Sequence, residues 1–279
     1  MKNKYELSFS DELKINNIFE IKGWPIDNDN KNSLFNRFRK RCQELNDEER
    51  TLFYKLSMNF NWISLNEYMQ LLSKLLIKLV SKYFYSAQHI YVYPIKKEED
   101  YNKIKSADVT SYLCKATQIK HIDLLSKKTF KIITTYEELA KTHKKEDKPF
   151  IILDDYIGSG QYACNVTEEL IKKGIPKSNI IISTFFISQN GKKKLEDAGY
   201  SVEYIEEVEN VLSKLSAKEI KILNEIEKKL NVNEEFSFGF NKSANLISLI
   251  RTPNNTLPIF WYKNASHVAN APFERRREV

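Results

Sequence analysis

Two stretches limit the fold of this chain more than any other feature. Phe150-Ile151-Ile152-Leu153 is continuously apolar, and residues 180–187 are apolar and β-rich but for the adjacent Ser183 and Thr184, with no polar alternation. A strand covered on both faces, inside a parallel sheet, has this pattern. Residues 164–173 between them read as a helix that stops at Gly174. After the second run, 191–198 reads as a helix ending at Gly199, and 201–205 as a short strand. Strand and helix alternate from 149 to 205, which predicts a parallel α/β sheet.

The same sheet extends backwards. His89-Ile90-Tyr91-Val92-Tyr93 is β-rich and stops at Pro94, 106–116 is helical, and Phe130-Lys131-Ile132-Ile133-Thr134 is a further strand. Thr135-Tyr136-Glu137-Glu138 opens a helix that ends in the polar stretch 142–147. Residues up to 85 read as helical. Asn46-Asp47-Glu48-Glu49 and Ser64-Leu65-Asn66-Glu67 are capping boxes. The second opens a helix whose Tyr68, Leu71, Leu72, Leu75, Leu76 and Leu79 form one packing face. Ser216-Ala217-Lys218-Glu219 caps a helix carrying Ile220, Leu223, Ile226 and Leu230, and 236–262 mixes apolar runs with the turn-rich Thr252-Pro253-Asn254-Asn255-Thr256. No linker separates these parts. The expected organisation is a helical N-terminal region, 1–85, packed on a core, 86–210, with a C-terminal helix and α+β closing extension, 211–279.

Composition narrows the function classes. A 42% hydrophobic share in 279 residues builds a core and excludes a wholly disordered chain. The longest apolar-rich stretch, 71–80, carries Ser73, Lys74 and Lys78, and is too short and polar to span a bilayer. Three scattered cysteines and four histidines form no zinc-type spacing. A soluble, cytoplasmic protein with no membrane partner is the expectation. The net charge of +7 comes mainly from Lys mixed with Glu and Asp along the chain, as on a solvated surface. Arg37-Phe38-Arg39-Lys40-Arg41 and Arg275-Arg276-Arg277 are the denser basic clusters, candidates for phosphate contact.

The chemistry concentrates in Leu153-Asp154-Asp155-Tyr156-Ile157-Gly158-Ser159-Gly160-Gln161. The strand delivers two acids toward its C-terminal end, where open α/β sheets bind ligands. Gly158 and Gly160 permit close approach of backbone N–H groups, Ser159 adds a hydroxyl, and the helix that follows favours an anion. Asp154 and Asp155 suit sugar hydroxyls or a magnesium-bound sugar. Phosphate in the loop beside a polyol describes a ribose 5-phosphate. No GxGxxG turn supports a dinucleotide site, and no GKS or GKT supports a Walker loop.

This arrangement resembles the signature of the type I phosphoribosyltransferases: an apolar strand, an acidic pair, two apolar residues and a Thr-Thr-Gly-type loop. The resemblance implies that Asp154 and Asp155 take the ribose hydroxyls of phosphoribosyl pyrophosphate, and a magnesium ion through the ribose or water. It implies that Gly158, Ser159, Gly160, Gln161 and Tyr162 hold the 5-phosphate. Gly158 stands in place of the usual first hydroxyl residue, and Tyr162 where Ser or Thr is common. Pro94-Ile95-Lys96-Lys97 falls where the family has its pyrophosphate loop. Residues 118–130, with Lys120, Lys127 and Lys128, take the place of a mobile catalytic loop.

The helical N-terminus and Arg251-Thr252-Pro253-Asn254-Asn255-Thr256-Leu257-Pro258-Ile259-Phe260-Trp261 resemble the conflict-system phosphoribosyltransferase-like group called PRTase-CE, predicted effectors of bacterial antiphage systems. The resemblance implies glycosyl transfer at the anomeric carbon, a defence-system protein or nucleic-acid partner, and possible self-association. A non-catalytic nucleotide sensor or a nucleic-acid-associated subunit on the same fold remains open. Trp261 is either a base-stacking ring or a hydrophobic plug, and Asn254 and Asn255 are either turn residues or ligand contacts. Cys164, His89, His121 and His267 are read as structural.

Overall fold

A computed structural model describes residues 5–146, 148–263 and 271–275. The principal helices are α1 (Phe9–Lys22), α2 (Leu34–Cys42), α3 (Asp47–Met58), α4 (Leu65–Tyr83), α5 (Ser106–Leu113), α6 (Tyr136–Glu146), α7 (Gln161–Lys172), α8 (Gln189–Asp197) and α9 (Ala217–Lys229). Five strands, β1 (His89–Pro94), β2 (Thr129–Ile132), β3 (Phe150–Ile157), β4 (Ile180–Ser188) and β5 (Ser201–Val208), make one sheet in the order β2-β1-β3-β4-β5. Every pairing is parallel, with Phe150 opposite Ile180 and Ile181 opposite Ser201. The reason is the one that the apolar runs supply: β4 is buried along all nine residues, so helices must cover both of its faces.

The described residues form two compact units. One runs from Ile63 to Glu209; the other combines the residues up to Trp62 with those from Asn210 onward. The division therefore differs from 1–85, 86–210 and 211–279. Helix α4 belongs with the sheet, and the two flanking segments share one core.

In the sheet unit, α4 buries Tyr68, Leu72, Leu75, Leu76, Leu79 and Val80, while Leu71 is only half-buried. The Ser64–Glu67 capping box forms as the residue pattern demands. Glu203 on β5 accepts ion pairs from Lys78 at 2.8 Å and Lys82 at 2.6 Å, which pin α4 in register. Residues 118–130 are not an open loop. They contain two single-turn helices, Thr117–Lys120 and Asp123–Ser126, anchored by buried Ile119 and Leu125. Lys128 Nζ donates to the carbonyls of Phe84 and Ala87, at 3.2 and 2.8 Å, and Lys120 Nζ to that of Lys128, so these lysines hold backbone together.

The second unit is built on aromatic packing. Phe19 meets Trp24, Phe35 and Phe38 edge-on, Phe38 stacks on Phe53 at 4.5 Å, and Phe60 stacks on Phe273 at 4.5 Å. Two short strands, Asn61–Trp62 and Ile247–Ser248, pair in parallel and tie its two chain segments. The basic cluster on α2 is consumed internally. Arg37 pairs with Glu274, Arg39 with Glu12, and Lys40 Nζ donates to the Lys31 carbonyl. Arg41 is buried and donates to the Tyr262 carbonyl and to Glu44. In the second cluster Arg275 donates to the Thr252 carbonyl at 2.6 Å; Arg276 and Arg277, like His267, lie outside the described residues.

The closing segment is architecture. Trp261 is buried and its Nε1 donates to the Thr256 carbonyl at 2.7 Å, which makes it a plug. Buried Asn255 donates to Ser243 Oγ at 3.0 Å, and Asn254 accepts from the Phe240 N–H at 2.9 Å. Cys42, Cys114 and Cys164 are buried and free, and burial pushes the Cys164 thiol up. Among the described residues no helix is long and apolar enough to cross a membrane.

Candidate functional site

In this strand order the chain leaves β1 toward β2 and leaves β3 toward β4. The C-terminal ends of β1 and β3 are therefore the switch point of the sheet, the place where open α/β sheets bind ligands. Pro94 is the last β1 residue in register with β3, opposite Leu153, and the Ile95 N–H donates to the Leu153 carbonyl at 2.9 Å. Strand β3 continues beside β4 through Ile157. Asp154 and Asp155 thus sit just past the end of β1 but inside β3, not at its tip. Propensity alone hid this, because two acids look like a strand terminus.

The two carboxylates turn to different helices. Asp155 is 4% exposed and accepts a hydrogen bond from Tyr68 of α4 at 2.6 Å. Asp154 accepts from Ser106, the first residue of α5, at 3.2 Å, and from the Asp155 N–H at 2.8 Å. Asp154 is half-buried, yet protein surrounds its carboxyl group. That desolvation, and then the adjacent Asp155 charge, hold it well above the ordinary carboxylate range. Tyr68 and Ser106 escaped sequence reasoning as site residues. Tyr68 was visible only as part of an apolar face, and Ser106 only as a helix start.

The loop Gly158-Ser159-Gly160 is clamped to the start of α8. Ser188 Oγ donates to the Gly158 carbonyl at 2.6 Å and accepts from the Gly191 N–H at 3.1 Å. A Cβ on Gly191 would lie 2.1 Å from the Gly158 oxygen. Gly160 has φ +74°, and a Cβ there would lie 2.9 Å from the Gly191 oxygen. Backbone meets backbone, so both positions need glycine. Gly160 is the N-cap of α7, whose first-turn N–H groups point into the loop. Ser159 Oγ accepts from the Gln161 N–H at 3.4 Å, and Gln161 bonds Asn165 and Lys194. Gly191 and Ser188 were missed because their partner lies 30 residues or more upstream.

The residues assigned to pyrophosphate and to the loop's end form a separate frame. Lys96 is buried and its Nζ pairs with Asp108 at 3.0 Å. The Lys96 carbonyl accepts from Tyr93 at 2.8 Å and Tyr136 at 3.1 Å. Lys97 offers its backbone N–H to the Tyr162 hydroxyl at 3.1 Å, and its ammonium pairs with Glu99 at 3.5 Å. The Tyr162 hydroxyl donates to Asp100 at 2.7 Å and accepts from Lys105 at 2.6 Å. Burial opposes the Asp100 charge, but Lys105, Tyr162 and Lys103 outweigh it and hold that carboxyl far below its ordinary range. Lys96 and Tyr162 therefore shape the segment after β1 by internal bonds.

Among the described residues no three His, Cys, Asp or Glu side chains converge as a metal cage. Two carboxylates are what magnesium uses when substrate phosphates and water complete its shell, so Asp154 and Asp155 fit such an ion. The family model PRTase-CE matches residues 35–274, which takes in the whole sheet, the N-terminal flank from Phe35 onward and most of the C-terminal flank. No curated protein matches the chain.

Proposed function

The chain belongs to the PRTase-CE family, and from that premise we propose that it binds phosphoribosyl pyrophosphate with magnesium between β1 and β3 and transfers the phosphoribosyl group. One observation carries the reading. The acidic pair stands at the parting of β1 and β3, followed by a glycine loop clamped on Gly191 and aimed by the N-terminus of α7. Asp154 and Asp155 would take the ribose hydroxyls. Tyr68 and Ser106 orient those carboxylates. Backbone N–H groups of 158–162 would take the 5-phosphate, which makes the missing hydroxyl at Gly158 tolerable. Magnesium, held by Asp154 and Asp155 through ribose or water, would supply charge neutralisation for the departing diphosphate. In the transfer, the C1–O bond to diphosphate breaks and its electron pair leaves with that group. The acceptor's lone pair forms the new bond to C1, and the acceptor's proton goes to water.

The test is titration calorimetry with phosphoribosyl pyrophosphate and magnesium, then diphosphate release with bases, nucleotides, protein and nucleic acid as acceptors. Asp154→Lys and Asp155→Lys are expected to abolish binding; binding that survives both removes the site from the reading. A second reading, a sensor that keeps the pocket without turnover, is supported by the ion pair of Lys96 with Asp108, which competes with any diphosphate for that ammonium. Binding without diphosphate release under any acceptor selects it.

The biological role we propose is a bacterial antiphage effector restrained by a neighbouring protein. Expression alone is expected to slow growth, and Asp154→Ala with Asp155→Ala to relieve it. A double variant as toxic as the parent overturns that role.

A further inference from the structure

The first turn of α5 meets two of the groups assigned to the phosphoribosyl ligand. Its first residue, Ser106, donates to Asp154 at 3.2 Å. Its third, Asp108, sets both carboxylate oxygens on the Lys96 ammonium, at 3.2 and 3.0 Å. A hydroxyl on the acid beside an oxyanion on the ammonium is the pattern that a ribose and its diphosphate would make there. This turn therefore imitates the chemistry of the ligand.

The two sides of the Lys96–Asp108 contact are not held alike. The Lys96 backbone is fixed, because its carbonyl accepts from Tyr93 at 2.8 Å and from Tyr136 at 3.1 Å. Its side chain is only 7% exposed, whereas that of Asp108 is 25% exposed. The acid is thus the partner that faces solvent. It stands on an eight-residue helix, short of the length at which a helix is stable by itself. That helix is also imperfectly seated: Ser111 Oγ is buried with no hydrogen-bond partner among the described residues. An orphaned hydroxyl is a cost that a shift of the helix relieves. A buried ammonium left without an anion is costlier still, so one anion must replace another on Lys96. A diphosphate arriving from solvent meets Asp108 first and takes over a lysine that stays in place.

We propose that Asp108 is an autoinhibitory stand-in for the ligand's diphosphate. In the resting protein it holds Lys96, and phosphoribosyl pyrophosphate binds by displacing it together with the first turn of α5. The proposal rests on the phosphoribosyl reading of the site and adds how that site is restrained.

The experiment titrates the full chain and its Asp108→Asn variant by calorimetry with phosphoribosyl pyrophosphate, diphosphate and ribose 5-phosphate, with magnesium present throughout. The substitution keeps an acceptor for the Lys105 N–H, which Asp108 caps at 2.8 Å, and removes the charge. The variant is expected to bind phosphoribosyl pyrophosphate and diphosphate about tenfold more tightly than the parent. Ribose 5-phosphate brings no diphosphate and is expected to bind both proteins within about twofold. Glu98→Gln removes an acid of the same segment that pairs with Lys173 and not with Lys96, and is expected to change none of the three. Hydrogen exchange of the parent is a second readout that decides the matter if Asp108→Asn fails to fold: saturating magnesium diphosphate is expected to speed exchange of the amides at 106–110. If the folded Asp108→Asn variant binds diphosphate no tighter than the parent, the acid positions Lys96 and the proposal is overturned. An equal gain for ribose 5-phosphate, an equal gain from Glu98→Gln, or slower exchange at 106–110 overturns it as well. If parent and variant bind none of the three ligands, the phosphoribosyl reading itself falls, and the proposal with it.

Discussion

Replacing Gly191 with Ala tests the clamp on the candidate phosphate loop. The new methyl would stand 2.1 Å from the Gly158 carbonyl oxygen, where ordinary contact begins near 3.4 Å. One of the two backbones must therefore retreat by about 1 Å. Overpacking of this sort costs about 1–3 kcal/mol. The retreat also loosens the 2.6 Å bond from Ser188 to the same oxygen, worth about 1 kcal/mol. Alanine regains about 1 kcal/mol of helix propensity within α8. The clash wins, leaving a net loss of about 1–3 kcal/mol. For a chain of this size that is a fall in melting temperature of roughly 2–12 °C. A loop displaced by about 1 Å is also expected to weaken phosphoribosyl pyrophosphate binding, by up to about 100-fold. Ser188→Ala removes the bond without the clash, and is expected to cost only about 1 kcal/mol. Scanning calorimetry and titration of the two variants decide the matter. If Gly191→Ala melts with the parent, or is no worse than Ser188→Ala, the close approach of loop and helix is wrong.

Other outcomes follow from single contacts. Tyr68→Phe strips a donor from the buried Asp155 carboxylate and should cost about 2 kcal/mol in urea unfolding at pH 7, while leaving the helix content by circular dichroism unchanged. Glu227 on α9 is raised to about 7 by burial, against the hydrogen bonds from Ser237 and the Phe238 N–H. A carboxyl whose folded pKa is raised contributes stability that is present below its ordinary range near 4.5 and lost as pH rises through about 7. Glu227→Gln should thus flatten the stability profile between those pH values and stabilise the protein at pH 8 by about 2 kcal/mol, read by denaturant midpoints. The raised Asp154 carboxyl has the same sign, so Asp154→Asn should melt higher than the parent above neutral pH while losing the phosphoribosyl ligand. Lys105→Met removes the cation between Asp100 and the Tyr162 hydroxyl and is expected to lower the melting temperature, with a larger loss at neutral pH than in acid, where Asp100 protonates.

Local chemistry made much of the fold legible. Apolar runs long enough for a strand and too short for a membrane produced β3 and β4, and the capping boxes at Asn46, Ser64 and Ser216 all formed, because both signals act within a few residues. The site was legible to the same extent. Asp154, Asp155, Gly158 and Gly160 lie on one continuous segment, and their backbone geometry follows from strand, turn and helix start. What residue order did not show is the contact with a distant partner. Lys96 pairs with Asp108, and Tyr162 bonds Asp100 and Lys105. The cluster at Arg37–Arg41 read as a candidate for phosphate contact, and Glu274, Glu12 and the Tyr262 carbonyl bind it.

The division between the two is physical. Periodicity, capping and glycine act over one turn or one strand, so residue order by itself determined the parallel sheet, its helices and the acid–glycine segment. Burial and ion pairing are long-range and compete for the same side chains. Only the tertiary structure decided that α4 joins the sheet, that the two ends of the chain share one aromatic core, that Tyr68 reaches Asp155, and that Gly191 closes on Gly158.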